Sequence, residues 1–395
     1  MDILYKYVVY ACMLAEYRQI AKGYLAMTAV VLLKNGTRKL GSVRSHLAFE
    51  VAGLAGAALG FVWVYGLLAG ITLIDWFHRL RDAGGLGTIS SGGMGLPAAA
   101  PAGDRRRPLR IAVGIATAGR PAIARETLRR LRRQTRHPDI VVAAVPTLAD
   151  LDPVPDGEEP LVLVGDRGLT RQRNAILAAV DDADLVCFFD DDFVPADTYL
   201  ESIEAAFLAK PGLVGATGVV VADGITGAGY AIEDAERFLD GRNGAAASIP
   251  VYNAYGCNMT FRVSAIRAGG LEFDEALPAY GWLEDVDFSR RIARFGHLER
   301  VGPAVGVHLG VKGGRQSGRR FGYSQIANPL YLVGKGSFAW PRAVWLMARN
   351  IAMNVARSLR PEPHIDRRGR VAGNISALAD LVCGRLHPTR IVRLP

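Results

Sequence analysis

The chain has 395 residues, half of them hydrophobic, and carries a formal net charge of +9 with an isoelectric point near 9.5. That length suits two or three domains with a sizeable core, and the basic charge favours an anionic partner. No nucleic-acid recognition motif accompanies the charge, so nucleic acid is excluded from the predicted partners. The four cysteines are scattered without a CxxC pair. This favours buried thiols in a reducing compartment over disulfides or a zinc site.

Residues 1–82 are predicted to form a helical, membrane-associated region. Within them, residues 51–74 (VAGLAGAALGFVWVYGLLAGITLI) hold no charge over 24 positions. As a helix this segment would be about 36 Å long, enough to cross a bilayer core, and a buried helix of a soluble domain is the alternative. Basic residues flank it on both sides, so its orientation stays open. The earlier apolar run, residues 3–33, contains charges and favours an interfacial or core helix, and the first residues show no signal-peptide pattern.

Residues 83–108 are rich in Gly, Ser, Ala and Pro without apolar periodicity, which predicts a flexible linker. From residue 109, strand-like and helix-like segments alternate: LRIAVGIA, PAIARETLRRL, DIVVAAV, PLVLVGD, LTRQRNAILAAV and DLVCFF. The alternation predicts an α/β domain over residues 109–311. Its sheet should be mostly parallel, with ligands bound at the carboxyl ends of the strands.

Three successive aspartates, Asp190, Asp191 and Asp192, follow the apolar run DLVCFF. One acid would be enough to cap the helix predicted over residues 196–209. Three adjacent carboxylates repel one another, and each raises the pKa of the others unless a cation lies among them. Carboxylate oxygens favour Mg²⁺ or Mn²⁺ over zinc, so the run predicts a site for one of these ions.

Two further charged groups fall at predicted helix starts. Arg171 and Arg173 lie in the first turn after Thr170, where cations oppose the helix dipole. This placement favours a docked anion, with two solvated arginines as the alternative. Glu284 and Asp285 begin an amphipathic helix, where the dipole alone would also favour acids.

Two shorter signals are weak when taken singly. Gly256, within YNAYGCNMTFR, would let the backbone approach a ligand closely, and Asn258 offers amide contacts. His308 ends the strand-like AVGVH. A lone histidine is usually structural, but one downstream of a carboxylate cluster is a candidate metal ligand.

In chain order these residues resemble the marks of an inverting family 2 glycosyltransferase with the GT-A fold, a Rossmann-like nucleotide-diphospho-sugar transferase domain. DDD at 190–192 resembles the DxD motif, YGCN the glycine-rich loop, LED at 283–285 the xED motif, and His308 the C-terminal metal histidine. The resemblance covers about residues 109–309. Residues 269–296 also resemble the acceptor-side segment of galactosyltransferase-like members.

One feature departs from the family pattern. Family members usually end the second strand with an acid pair that holds the nucleobase, and VVAAVPTLADL has none. Asp150 and Asp152 are the nearby substitutes. The nucleobase and the donor sugar therefore stay open.

The resemblance implies a role for each candidate residue. Mn²⁺ or Mg²⁺ would be bound by Asp192, Asp190 and His308, and it would bridge the donor diphosphate. Asp285 would act as the general base on the acceptor hydroxyl, and Glu284 would hold acceptor hydroxyls. The implied contacts to the nucleotide-sugar donor are Thr117, Arg120, Arg173, Asp190, Asp191, Gly256 and Asn258.

Residues 312–395 hold 15 Lys or Arg against 3 Asp or Glu and are predicted to form a basic loop and helices. The loop arginines, Arg315, Arg319 and Arg320, either close over the diphosphate or are solvated. WPRAVWLMARNIAMNVARSL predicts a basic amphipathic helix, which suits an anionic membrane surface or packing on the catalytic domain. The last residues resemble the ends of bacterial polysaccharide glycosyltransferases.

Together these features predict a membrane-associated glycosyltransferase at the bacterial inner membrane, with its catalytic domain on the cytoplasmic side. The donor is a nucleotide sugar, and the acceptor a glycan or lipid-linked glycan in cell-surface polysaccharide or glycolipid synthesis. A nucleotidyltransferase is one alternative, although GIATAGRP lacks the lysine of a P-loop. A non-catalytic, membrane-bound, nucleotide-sugar-binding scaffold is the other.

Overall fold

The computed structural model describes residues 107–153, 160–225, 227–240, 246–311, 313, 317–360 and 362–395. The predicted membrane-associated region 1–82, with its candidate span 51–74, lies outside the described residues. So does the predicted linker 83–108, except for its last two positions. Among the described residues, no helix has the length and hydropathy needed to cross a bilayer.

Within the described residues, nine strands form one sheet in the order β3-β2-β1-β4-β8-β6-β9-β5, with β7 paired to β9. The strands are β1 (Ile111–Ala116), β2 (Ile140–Val145), β3 (Leu161–Val164), β4 (Leu185–Asp190), β5 (Phe193–Pro195), β6 (Leu213–Asp223), β7 (Ile249–Pro250), β8 (Asn258–Arg262) and β9 (His297–His308). The first four strands of the predicted domain are parallel neighbours, since β1 pairs with β2 and β4, and β2 pairs with β3.

The other half of the sheet is mixed, so the prediction of a mostly parallel sheet is wrong there. β8 runs antiparallel to β4 and β6, and β5 runs antiparallel to β9. β5 begins three residues after β4 ends, which is too short for the crossover that a strand parallel to β4 would need. β5 instead pairs with β9 at the edge of the sheet. β9 is also much longer than the short strand predicted at its end, because it begins at His297.

The sheet is covered on both faces by helices. Alternate residues of β4 enter different apolar clusters, with Cys187 in one and Phe188 in the other, as expected when both faces of a strand are buried. The helices are α1 (Pro121–Leu131), α2 (Leu169–Ala179), α3 (Tyr199–Ala209), α4 (Ile232–Leu239), α5 (Val263–Gly269), α6 (Glu284–Ile292), α7 (Gly318–Lys335), α8 (Trp340–Ser358) and α9 (Arg367–Val382).

The C-terminal helices pack on the α/β domain through α7. Asn328 Nδ2 donates to the carbonyl oxygen of Trp282 over 2.7 Å. Lys335 Nζ lies 2.5 Å from Asp274 Oδ2 and 2.9 Å from Asp287 Oδ2. α7 is therefore packed on the α/β domain, whereas the two alternatives predicted for the basic amphipathic helix concern α8.

A buried amide network holds the three C-terminal helices together. Asn354 Nδ2 on α8 donates to Gln325 Oε1 on α7 over 2.7 Å and to Asn374 Oδ1 on α9 over 3.0 Å. Two of the loop arginines, predicted either to close over a diphosphate or to be solvated, also make contacts among the C-terminal residues. Arg319 reaches Ser376 Oγ and Arg320 reaches the carbonyl oxygen of Leu394, while Arg315 lies outside the described residues.

Candidate active site

A cleft of about 130 Å³ brings together both predicted acidic motifs. It is lined by Leu169, Arg173, Asp190, Ile225, Tyr255, Gly256, Cys257, Tyr280, Trp282, Leu283, Glu284, Asp285 and His308. A larger hollow of about 500 Å³ borders Ser358 and residues 362–368. Its only acids, Glu362 and Asp366, are engaged by Arg367 and by the Gly369 amide. Of these two cavities of the described residues, the smaller cleft is therefore the one with an array of acids facing a common space.

Asp190 ends β4 and is tied to the second acidic motif by a single arginine. Arg173 Nη2 lies 3.0 Å from Asp190 Oδ1 and donates over 2.8 Å to the carbonyl oxygen of Gly256. Its Nη1 contacts Glu284. The guanidinium, which is 2 % exposed, is therefore committed to protein acceptors within the cleft wall. Three of the seven predicted donor contacts, Arg173, Asp190 and Gly256, line the cleft, but their role in binding the donor stays a prediction.

Asp191 is fully buried and points to a different pair of residues. Thr117 Oγ1 donates to Asp191 Oδ2 over 2.6 Å, and Arg120 Nη2 lies 2.5 Å from Asp191 Oδ1. Burial raises the pKa of Asp191 to about 7, although Arg120 opposes this. Thr117, Arg120 and Asp191 thus form one cluster that connects β1 to the aspartate run.

Asp192 and His308 face each other across the ends of β4 and β9. His308 Nε2 lies 3.4 Å from Asp192 Oδ1. The other oxygen of Asp192 accepts the Val311 backbone N–H over 2.8 Å and is 3.4 Å from Arg120 Nη1. Burial raises the pKa of Asp192, but His308 and Arg120 more than offset this and hold it below its usual value.

Asp190, Asp192 and His308 fit a divalent metal ion. One ligand atom from each of the three lies within 4.8 Å of the others. Two carboxylates and one imidazole form a mostly oxygen donor set, which suits Mn²⁺ or Mg²⁺ better than a thiolate-preferring metal.

His308 is oriented by a carboxylate that the sequence reasoning missed. Asp223 ends β6 in register with His308 at the end of β9, and its Oδ1 accepts His308 Nδ1 over 2.9 Å. Tyr255 Oη donates to Asp223 Oδ2 over 2.8 Å. The Nδ1 proton is thus fixed, and Nε2 faces Asp192. An acid that ends the apolar run LVGATGVVVAD repeats the pattern that identified Asp190, so this signal was present in the sequence.

The second acidic motif begins α6. Glu284 contacts Arg173, while Asp285 is bound by backbone groups only: Gly256 N donates to its Oδ2 over 3.2 Å and Val286 N to its Oδ1 over 2.8 Å. Burial raises the pKa of both acids, and Arg173 offsets this only in part. Asp285 lies half-buried at the cleft.

Gly256 lies close to the acid pair, where a side chain would have little room. A Cβ there would lie 3.3 Å from Glu284 Oε1 and 3.7 Å from Asp285 Oδ2. The close approach expected for this glycine is therefore to the chain's own carboxylates. Leu283, just before the pair, has a φ of 74°. Such a conformation is rare for a residue with a side chain and must be held by its surroundings.

Besides Thr117, Arg120, Asp191 and Asp192, three more of the candidate residues lie outside the cleft lining: Asn258, Asp150 and Asp152. Asn258 is fully buried in β8, where its Oδ1 accepts Thr217 Oγ1 over 2.5 Å. Asp150, a suggested substitute for the nucleobase acid pair, accepts Gly119 N over 2.6 Å and Thr147 N over 3.0 Å. It fixes the loop that carries Arg120. Asp152 lies 3.8 Å from Arg125. Donor binding by Asn258 stays a prediction.

No family model and no curated protein matches the chain. Among solved structures, it is similar to residues 1–349 of S. aureus TarS, with a TM-score of 0.44, 14% identity and coverage of 72% of this chain and 83% of that one. It is also similar to the mannosyltransferase PcManGT from Pyrobaculum calidifontis, in complex with GDP-Man and Mn²⁺. There the TM-score is 0.39, with 15% identity and coverage of 81% and 92%. Because likeness at this level assigns no activity, the function of the chain has to be inferred from its own residues.

Proposed function

We propose that this chain is a metal-dependent glycosyltransferase, which moves a sugar from a nucleotide-diphosphate sugar to an acceptor hydroxyl. The main support for the proposal is that Arg173 joins two acidic groups in one cleft. One group, with Asp190, Asp192 and His308, fits a cation. The other ends in Asp285, a carboxylate that burial prepares to take up a proton.

The reaction is a single displacement at the anomeric carbon. The acceptor oxygen forms the new bond to that carbon while the bond to the diphosphate oxygen breaks, and the acceptor proton passes to an oxygen of Asp285. A single displacement inverts the anomeric configuration. Asp190, Asp192 and His308 would hold a divalent ion, which would supply positive charge against the departing diphosphate.

The remaining residues position these groups. Gly256 N fixes one oxygen of Asp285 toward the cleft, and Arg173 holds Glu284 beside it. Thr117 and Arg120 keep Asp191 turned away from the cleft, which leaves its two neighbours on the metal side. Arg120, whose side chain is 24% exposed, remains accessible to a donor phosphate.

The acceptor and location are finer parts of the proposal. An acceptor glycan, free or lipid-linked, at the cytoplasmic face of a bacterial inner membrane fits the uncharged stretch 51–74 and the basic C-terminal residues. Family 2 membership rests on the resemblance of the DDD, YGCN and LED motifs and His308.

A nucleotide-release assay tests the proposal. The full chain is given UDP-, GDP- and dTDP-sugars with a membrane extract as acceptor, in Mn²⁺, Mg²⁺ or chelator. We expect metal-dependent release of one nucleoside diphosphate, lost in Asp192→Ala and Asp285→Asn. Release of pyrophosphate would instead identify a nucleotidyltransferase. Calorimetric donor binding without turnover of any acceptor would identify a non-catalytic scaffold and overturn the proposal.

A further inference from the structure

The outward side of α8 is apolar and open to solvent. Trp345 is 61% exposed, Val355 51% and Leu359 81%, and Ala348 and Ala352 between them are also exposed. Trp345, Ala348, Ala352 and Val355 recur every three or four positions, so they form one stripe along the helix, about 15 Å long at 1.5 Å per residue. Leu359, the C-cap residue of α8, continues the stripe. We call this stripe the outer face of α8.

A row of arginines runs beside the outer face. Arg342 and Arg349 are spaced by seven residues, which places them on one line along α8, and Arg360 lies two residues beyond the end of the helix. Among the described residues, none of these three lies within ion-pair distance of a carboxylate, whereas Arg357 contacts Glu362. α8 itself contains no acid. The row therefore presents uncompensated positive charge next to apolar side chains.

The inner side of α8 is fixed to the α/β domain. Ala343 and Leu346 pack in one apolar cluster with Leu283, and the Ala339 backbone N–H donates to Tyr252 Oη over 3.0 Å. Arg342 also lies over the Tyr252 ring, 4.2 Å from its centroid. The helix is therefore held in place, and its exposed side is a fixed feature of the surface.

We propose that the outer face of α8 docks on an anionic phospholipid surface. Trp, Val and Leu side chains can enter the headgroup and acyl boundary, while the neighbouring arginines reach lipid phosphates. A second copy of the chain fits less well, because a symmetric pair would bring two uncompensated arginine rows together. The contact is independent of the donor chemistry, so it stands even if the proposed reaction fails.

The test must report on α8 alone, because residues 51–74 are predicted to reach a bilayer by themselves. Ala352→Cys, in a full chain with Cys12→Ser and Cys383→Ser, carries an environment-sensitive dye at the centre of the outer face. Cys187 and Cys257 are buried. Ala205→Cys in the same background is the matched control, since Ala205 is an exposed alanine on α3.

Vesicles of phosphatidylcholine, with or without phosphatidylglycerol and with a nitroxide-labelled lipid as quencher, are the probe. We expect a blue shift and quenching at position 352 with the anionic vesicles only, and neither at position 205. Arg349→Gln with Arg360→Gln should raise the lipid concentration for half-maximal quenching about 25-fold, or about fivefold for each arginine near an anionic surface. Arg125→Gln with Arg237→Gln removes the same charge elsewhere and should have little effect.

Several results would overturn the proposal. Equal quenching at positions 205 and 352 would mean general adsorption of the protein, and equal quenching by neutral vesicles would remove the anionic preference. Absence of quenching at position 352 would show that the outer face does not meet lipid. A blue shift that grows with protein concentration without vesicles would identify a second copy as the partner.

Discussion

The aspartate run 190–192 and the acid pair 284–285 lie in one cleft but are neutralised differently. Two arginines and one histidine of the described residues contact the run: Arg120, Arg173 and His308. Among the described residues, the pair has one such contact, from Arg173 to Glu284, and Asp285 accepts hydrogen bonds from backbone N–H groups only. Within the run, Asp192 is therefore held ionised, whereas burial raises the pKa of Asp190 and of Asp191. In the pair, burial raises the pKa of both acids.

The pKa values of one residue from each group show the consequence. Burial raises the pKa of both Asp192 and Asp285. For Asp192 the nearby cations reverse this and leave its pKa lowered, whereas for Asp285 the opposing groups are insufficient and its pKa stays raised. The lowered pKa of Asp192 suits a metal ligand, and the raised pKa of Asp285 suits a general base.

The largest expected effect separates these two roles. Asp285→Asn should lower the transfer rate about a hundredfold to ten-thousandfold, because the acceptor proton loses its base, while Mn²⁺ binding measured by electron paramagnetic resonance stays normal. Asp192→Ala should abolish Mn²⁺ binding. If Asp285→Asn also removed Mn²⁺ binding, the two groups would not be separate functional units.

The raised pKa of Asp285 sets the acid side of the pH profile. The base acts as a carboxylate, so the rate is full above its pKa and falls as the pH drops through it. We expect the acid limb of the transfer rate to lie well above the ordinary Asp value of about 3.9. A rate profile at saturating Mn²⁺ checks this, and a limb at the ordinary value would contradict the assignment.

Asp223→Asn should weaken Mn²⁺ binding about 10- to 100-fold, the usual cost of losing the carboxylate that orients a metal-bound histidine. Its Oδ1 accepts His308 Nδ1 and holds Nε2 toward Asp192. Tyr255→Phe is the matched control, since it removes the other hydrogen bond to Asp223 and leaves the histidine contact. Equal loss in both variants would indicate a general structural defect.

Gly256→Ala should give a smaller loss, confined to the acid pair. The new Cβ would lie 3.3 Å from Glu284 Oε1 and displace that side chain by a few tenths of an ångström. Because a 1 Å misplacement costs about 100-fold, we expect a fall in kcat of less than that, with unchanged Mn²⁺ affinity. A fall in Mn²⁺ affinity alone would show that the glycine serves the aspartate run.

The smallest expected effect concerns Asp380, an acid outside the cleft that contributes to stability and not to the reaction. Burial raises its pKa, but Tyr323 and Arg390, which donate to its Oδ2 over 3.0 and 2.6 Å, leave the pKa lowered. Its stabilising effect is present at neutral pH and is lost as the pH falls through the lowered pKa. Asp380→Asn should reduce the free energy of unfolding by about 1–3 kcal/mol without changing the rate.

Urea unfolding at neutral and acidic pH measures this effect. The difference between the wild type and Asp380→Asn should shrink as the pH falls. Tyr323→Phe removes one of the two bonds and should cost about 1 kcal/mol. An unchanged difference across the range would show that the Asp380 charge is unimportant.

Local sequence patterns predicted the parallel half of the sheet because its strands are apolar runs separated by helices of ordinary length. They missed β6 and the true start of β9, since glycines and Pro303 interrupt the apolar pattern there. Antiparallel pairing of β8 with β4 depends on contacts between residues about 70 positions apart, which no local pattern reports.

The candidate site could also be predicted only in part, because local patterns do not report contacts between distant residues. The acids stood out as charges at the ends of apolar runs. The contact partners of each side chain could not be predicted, because Arg173 joins residues 190 and 284 only after folding. Asn258 is the opposite case, a polar residue in a promising motif whose amide is used inside the sheet.

The strained backbone of Leu283 has a consequence for anyone shortening this chain. Leu283 packs in one cluster with Leu332 of α7 and Ala343 of α8, so these helices help to hold the φ of 74° that sets up the acid pair. A chain ending before Gly318 would free that backbone. Inactivity of such a fragment would therefore give no information about lipid contact. An insertion in α7 or α8 would disturb the acid pair in the same way.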